Sequence, residues 1–170
     1  RPASAQTLAS QSDVVVHARV VEQWVVQKRG LKGEIFTRSV LEIIEYFRGD
    51  GPEVLTVQQL GGTLGEFHLN VVGTPALAVG SEIVAFLKVD SQRQLSFIVG
   101  LAQGIYYVES VGDAPWVYQD LSGLSFYTRT PQRVRPKPGG IDSSLGQLRR
   151  KVQGLKVFST FGAKTLRALP

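Results

Sequence analysis

Cysteine and methionine are both absent from the 170 residues, and only two histidines occur, His17 and His68. Without cysteine there is no disulfide, zinc-thiolate site, iron-sulfur cluster or cysteine nucleophile. No run of 18 or more apolar residues is present, which excludes a transmembrane helix. The 18 glycines follow no collagen-like period. What is there, 43% hydrophobic and 19% charged residues, suffices for the core of one ordinary domain. Beginning Arg1-Pro2-Ala3-Ser4-Ala5 without a methionine, the chain is expected to be a processed product from which an export signal has been removed. The localisation this implies is extracellular, at the cell surface or in a periplasm.

The net charge of +5 conceals a division. Residues 1–126 carry nine Lys/Arg and thirteen Asp/Glu, a net of −4, whereas residues 127–170 carry ten Lys/Arg and the single acid Asp142, a net of +9. Such asymmetry marks an interacting tail and makes a preference for acidic partners a property of the last quarter of the chain. The expected organisation is a body over residues 1–126 and a basic appendage over residues 127–170.

The body has the pattern of short strands. Thr7 to Gln11 predicts one or two helical turns after Ser4, too short to be stable alone. After Asp13, five of eight residues are β-branched, which predicts a strand from Val14. Putting Val14, Val16, Ala18 and Val20 inward sends His17 and Arg19 outward, and Glu22 on the inner parity predicts a bulge near residues 21–23. Ile35 to Arg48 predicts a long, coiled second strand after the basic tip Lys28-Arg29-Gly30-Leu31-Lys32-Gly33. Further strands are expected at Val54 to Leu60, Phe67 to Val72, Ile83 to Leu87, Leu95 to Val99, Ile105 to Val108 and Trp116 to Leu121. The Ile83 segment is apolar on both parities, so both its faces should be covered. Together these predict a mainly β, antiparallel barrel. Pro131, Pro136, Pro138, Gly139 and Gly140 then make an extended linker, before a helix capped by Asp142 or Ser143. Leu145, Leu148, Val152 and Leu155 form its apolar stripe, and Val157 to Phe161 is β-prone.

The short helix, then Ser12-Asp13-Val14-Val15-Val16-His17-Ala18-Arg19-Val20 and Phe36-Thr37-Arg38-Ser39-Val40-Leu41-Glu42-Ile43-Ile44-Glu45-Tyr46-Phe47-Arg48-Gly49, resembles the start of the netrin-like modules, which include tissue inhibitors of metalloproteinases. The likeness extends to exported bacterial proteins with a Gly-Gly after the third strand and a turn like Val79-Gly80-Ser81-Glu82 before an apolar strand. It covers roughly residues 4–108. The resemblance implies an oligonucleotide/oligosaccharide-binding (OB-like) barrel flanked by helices. The inhibitors chelate a protease's zinc through an N-terminal cysteine, which this chain lacks, so that mechanism does not transfer.

Chemistry-bearing residues are sparse. His17 and His68 have no partner at metal-ligand spacing, and no metal or other cofactor is expected. No G-x-S-x-G occurs; joining either histidine with a serine and Asp13, Asp90 or Asp120 would make a hydrolase of unrecognised type, the weaker alternative. Glu42 and Glu45 point to opposite faces of a strand, unlike a glycosidase pair. Gly61-Gly62-Thr63-Leu64-Gly65 lacks the Lys-Ser/Thr of a phosphate loop and is better taken as a turn or bulge. Trp24, Trp116, Tyr106, Tyr107 and Tyr118 offer a stacking platform, against the commoner role of half-buried barrel aromatics. Aromatic and basic residues do not interleave along the body, which speaks against nucleic acid.

The function expected is therefore non-enzymatic: an exported binding or assembly module that meets another surface or secreted protein, or copies of itself. The expected contacts are the cations Arg133, Arg135, Lys137, Arg149, Arg150 and Lys151 with the apolar Val157, Phe158 and Phe161. Anionic polysaccharide or a lipid surface are further partners of the same charge logic. The resemblance supplies the alternative of a protease-inhibitor-like or protease-associated module.

Overall fold

The computed structural model describes residues 2–28, 34–111, 114–124, 126–127, 133–134 and 143–154. Helix α1 spans Ala5–Ser10. It is followed by strands β1 (Val14–Gln27), β2 (Ile35–Arg48), β3 (Val54–Leu60), β4 (Gly62–Leu64), β5 (Phe67–Leu69), β6 (Glu82–Asp90) and β7 (Leu95–Ile98). After a 3₁₀ turn at Leu101–Gly104 come β8 (Ile105–Val111), β9 (Ala114–Tyr118), β10 (Phe126–Tyr127), β11 (Arg133–Val134) and β12 (Ser143–Ser144). A second helix, α2, covers residues 145–154. The protein is thus mainly β, with a short helix near its start and another after the strands.

The principal sheet runs β1-β2-β3-β7-β6-β8-β9-β12, and β1 also pairs with β6 along its other edge. The ladder of β1, β2, β3, β7 and β6 therefore returns to its starting strand. All its pairings are antiparallel except β3 with β7, joined in parallel at Val57 and Ser96. That exception departs from the wholly antiparallel expectation. It follows from the hairpin β6–β7, which brings β7 back between β3 and β6.

The β1–β2 ladder shifts register three times, with Phe47 and Ile44 as the extra residues on β2 and Val21 as the extra residue on β1. The last bulge stands where Glu22 breaks the inner parity, and lets one 14-residue strand turn its side chains to a new face. Two cores result. Val14, Val16, Ala18, Val20, Leu41, Val57, Ile83, Ala85 and Leu87 fill the inside of the closed ladder. Val15, Phe47, Val84, Phe86, Tyr106 and Val117 form a second layer with Leu8 and Ala9 of α1 and Leu148 and Val152 of α2. Alternate residues of β6 enter the two cores, so Ile83 to Leu87 is buried on both faces, as its composition predicts.

α1 is too short to persist by itself and is fixed from both ends. Ser4 Oγ accepts the Thr7 N–H at 3.1 Å, Ser12 Oγ donates to Leu8 O at 2.7 Å, and the Arg48 guanidinium donates to Ala9 O. Two expected elements are shorter in the fold. The fourth expected strand ends at Leu69 and pairs with β4, because Asn70 onward turns over the ladder, and the segment from Trp116 is strand only to Tyr118.

Candidate functional site

His17 is not solvent-facing as the strand parity predicts. It lies outside the inner core, but that side is itself covered, leaving the residue 8% exposed with its ring 5.8 Å from Phe47. Its Nε2 meets Glu82 Oε1 at 2.5 Å, and Arg19 approaches the other carboxylate oxygen at 3.8 Å. His68 sits on the exposed β4–β5 hairpin with Nδ1 2.7 Å from Thr63 Oγ1. The aspartates considered with them are engaged elsewhere. Asp13 binds the Val89 N–H and Lys88, Asp90 caps the turn to Arg93, and Asp120 accepts from Ser122. The Ser122 contacts hold the Asp120 carboxyl below its ordinary pKa. Among the described residues, no group of three or more His, Asp and Glu side chains lies close enough to hold a metal ion.

Gly61 and Gly62 adopt φ of +108° and +137° at the junction of β3 and β4, the conformational role expected of that glycine pair. The hollow beside it is about 470 Å³, and three of its polar side chains are engaged within the fold. Gln23 donates to Ser39 Oγ and Leu77 O, Gln59 to Pro75 O, and Thr37 to Gly61 O.

The C-terminal cations divide. α2 presses Leu148 (1% exposed) and Val152 (0%) into the second core, while Arg149, Arg150 and Lys151 stay on its exposed side. Arg149 donates to Glu45 Oε1 from Nε at 3.1 Å and Nη2 at 2.5 Å, tying the helix to β2 of the same chain. Arg150 and Lys151 meet no carboxylate among the described residues. Just before the helix, β12 pairs in cis with β9, and Ser144 Oγ accepts the Gln147 N–H at 3.2 Å. The helix cap is thus Ser144, one or two residues after the expected Asp142 or Ser143. Arg133 lies in β11, paired with Tyr127. Arg135, Lys137, Val157, Phe158 and Phe161 lie outside the described residues.

Sequence order misses a second basic surface. Cross-strand partners share a face, and the register aligns Trp24, Arg38 and Gln58 across β1, β2 and β3, with Val26, Phe36 and Leu60 in the adjacent row. Ser96 points inward beside Val57, which leaves Leu95 and Phe97 of β7 on the outer face with them. These rows border a groove of about 590 Å³ lined also by Lys28 and Arg93, with three cations and no acid among its lining residues. Arg38 Nε donates to Gln58 Oε1 at 3.0 Å. Arg93, an exposed side chain, is 3.6 Å from Asp90, whereas Lys28 and Arg38 meet no carboxylate among the described residues. Aromatic and basic residues from β1, β2 and the β6–β7 hairpin are therefore brought together on one face. Of the expected stacking residues, only Trp24 stands on this face. Tyr106 is buried, and Tyr107 and Tyr118 pack on each other at 5.4 Å in the neighbouring β8–β9 pair. Burial pushes the Tyr107 phenol up to about 12. No protein-family model matches the chain, and no curated protein matches its sequence.

Proposed function

We propose that this chain is a non-enzymatic, exported binding module, an OB-like barrel of the netrin-like kind whose C-terminal cations engage an acidic surface on another protein or on a second copy. The closed order β1-β2-β3-β7-β6, with its single parallel contact, supports the barrel. One observation carries the functional reading. α2 is anchored by Leu148 and Val152, so Arg150 and Lys151 are presented on a fixed element with no carboxylate to neutralise them among the described residues. They continue by sequence into Lys156, Lys164 and Arg167, with no acid after Asp142. A positive field of this kind, opposite to the −4 of the body, draws acidic partners and orients the encounter.

The test is retention of the chain on an immobilised polyglutamate matrix. The double variant Arg150→Gln/Lys151→Gln should elute at distinctly lower salt than the native chain, because each exposed cation contributes a screened attraction. Identical elution of the two overturns the proposal. Sedimentation at high concentration separates the two kinds of partner: mass growing with concentration identifies a second copy, and a constant monomer mass a different protein.

A further inference from the structure

β1 outruns the strand beside it. Its β6-facing edge is paired from Val14 to Arg19, and Val20 closes that ladder by donating to Ser81 O at 2.9 Å and accepting the Gly80 N–H at 2.7 Å. Beyond the extra residue Val21, the strand runs on to Gln27 with β2 as its sole pairing strand among the described residues. The Lys28 N–H donates to Glu34 O at 3.2 Å, so the alternation of an antiparallel pair turns the N–H and C=O of Gln23, Val25 and Gln27 away from β2. Among the described residues, no pairing strand or loop bond reaches those backbone groups. Proteins ordinarily blunt such an edge with a proline, a lysine or a bulge. From Glu22 to Gln27 there is no proline or lysine, and the β1–β2 register is unbroken. Glu22, Trp24 and Lys28 are exposed along it, and neither Glu22 nor Lys28 has an ion-pair partner among the described residues.

We propose that this edge pairs antiparallel with the same edge of a second copy, about a two-fold axis that passes through Val25 normal to the sheet. Such an axis keeps the outer faces of both copies on one side, so residues of like parity meet. Val25 then faces Val25 of the second copy, and Gln23 faces its Gln27. These are the positions whose backbone groups point outward, so each pair exchanges two hydrogen bonds. The intervening positions, where side chains approach more closely, set Trp24 against Val26 and Glu22 against Lys28, each twice by symmetry. A two-fold axis at Trp24 instead would place Glu22 against Val26 and Lys28 against Val20, which forfeits the charge match. Any extended peptide can satisfy a free backbone edge, but the order of charge and apolar residues along this one is complementary to itself, which selects a second copy as the occupant. The contact lies apart from α2 and does not depend on the function proposed for the C-terminal cations.

Sedimentation equilibrium of the full chain at concentrations up to about 1 mM tests it. The native chain should pass from monomer to dimer and stop there, because a two-fold contact closes on itself. Glu22→Lys and Lys28→Glu each set like charges opposite one another at two symmetric places, and each should weaken the dimer about tenfold or more. Both positions are exposed, so neither change endangers folding. The double variant Glu22→Lys/Lys28→Glu restores the match in reverse order and should return the dimer constant to within about threefold of native. Arg150→Gln/Lys151→Gln should also leave it within about threefold, which separates this contact from self-association through the C-terminal cations. A monomer at every concentration, a dimer that either single reversal leaves untouched, a double reversal that fails to restore it, or a dimer lost with Arg150→Gln/Lys151→Gln would overturn the proposal.

Discussion

Asp13 works at the join between α1 and the sheet. Its backbone N–H donates to Leu87 O at 2.8 Å, and its carboxylate accepts the Val89 N–H at 2.9 Å with Lys88 Nζ at 3.3 Å. The Val89 bond, aided by Lys88, holds its pKa below the ordinary value against the opposing effect of burial. A carboxyl whose folded pKa is depressed contributes stability above its unfolded value of about 4 and loses it as pH falls through the folded one. Denaturant unfolding of Asp13→Asn should therefore show a shallower decline between about pH 5 and pH 3 than the native chain. Parallel curves would assign the acid sensitivity to other groups. At this scale much was legible: Val14, Val16, Ala18 and Val20 point inward as alternation requires, and Glu22 marks a bulge. The burial of His17 was not, because a strand's own periodicity separates two faces without saying that a second layer covers the outer one.

α2 shows how an element changes the meaning of its residues. Leu145, Leu148, Val152 and Leu155 form a recognisable stripe in the sequence; Leu148 and Val152 are fully buried against the sheet, and Leu155 lies outside the described residues. Burying such side chains stabilises by about 1.5–3 kcal/mol each, so the helix belongs to the packing of the body although it lies within the basic segment. Leu148→Ala should lower the stability of the whole chain by about 2–5 kcal/mol in a single cooperative unfolding transition. A cost below about 1 kcal/mol would mean that the helix is docked loosely. The long strands were legible from their β-branched composition and the Gly/Pro turns between them, whereas the β4–β5 hairpin was not. Gly62–Leu64 is only three residues long, and its pairing with Phe67–Leu69 depends on two positive-φ glycines that sequence marks simply as a turn. The groove has the same origin: Trp24 and Arg38 become neighbours only through the β1–β2 register, which runs unbroken from the Gln27–Ile35 pair to the Glu22–Val40 pair.

For the whole molecule, the charge division seen along the chain becomes a spatial arrangement. Part of the +9 segment is committed in cis through β12, the buried face of α2 and the Arg149–Glu45 pair. Arg150 and Lys151 are held outward, next to a stretch of chain with no further acid. Shortening the chain at Phe126 would therefore remove Leu148 and Val152 from the core along with the cations, and confuse stability with binding. A chain ending at Gly154 keeps the described helix and loses Lys156, Lys164 and Arg167 together with Val157, Phe158 and Phe161. The decisive measurement is the dissociation constant of the full chain and of this shortened chain for immobilised polyglutamate, at about 0.05 M and about 0.5 M salt. At low salt the full chain should bind about tenfold more tightly or better, with the difference largely gone at high salt. Equal affinity of the two chains at low salt, or a difference that high salt leaves unchanged, would contradict a function built on the C-terminal cations.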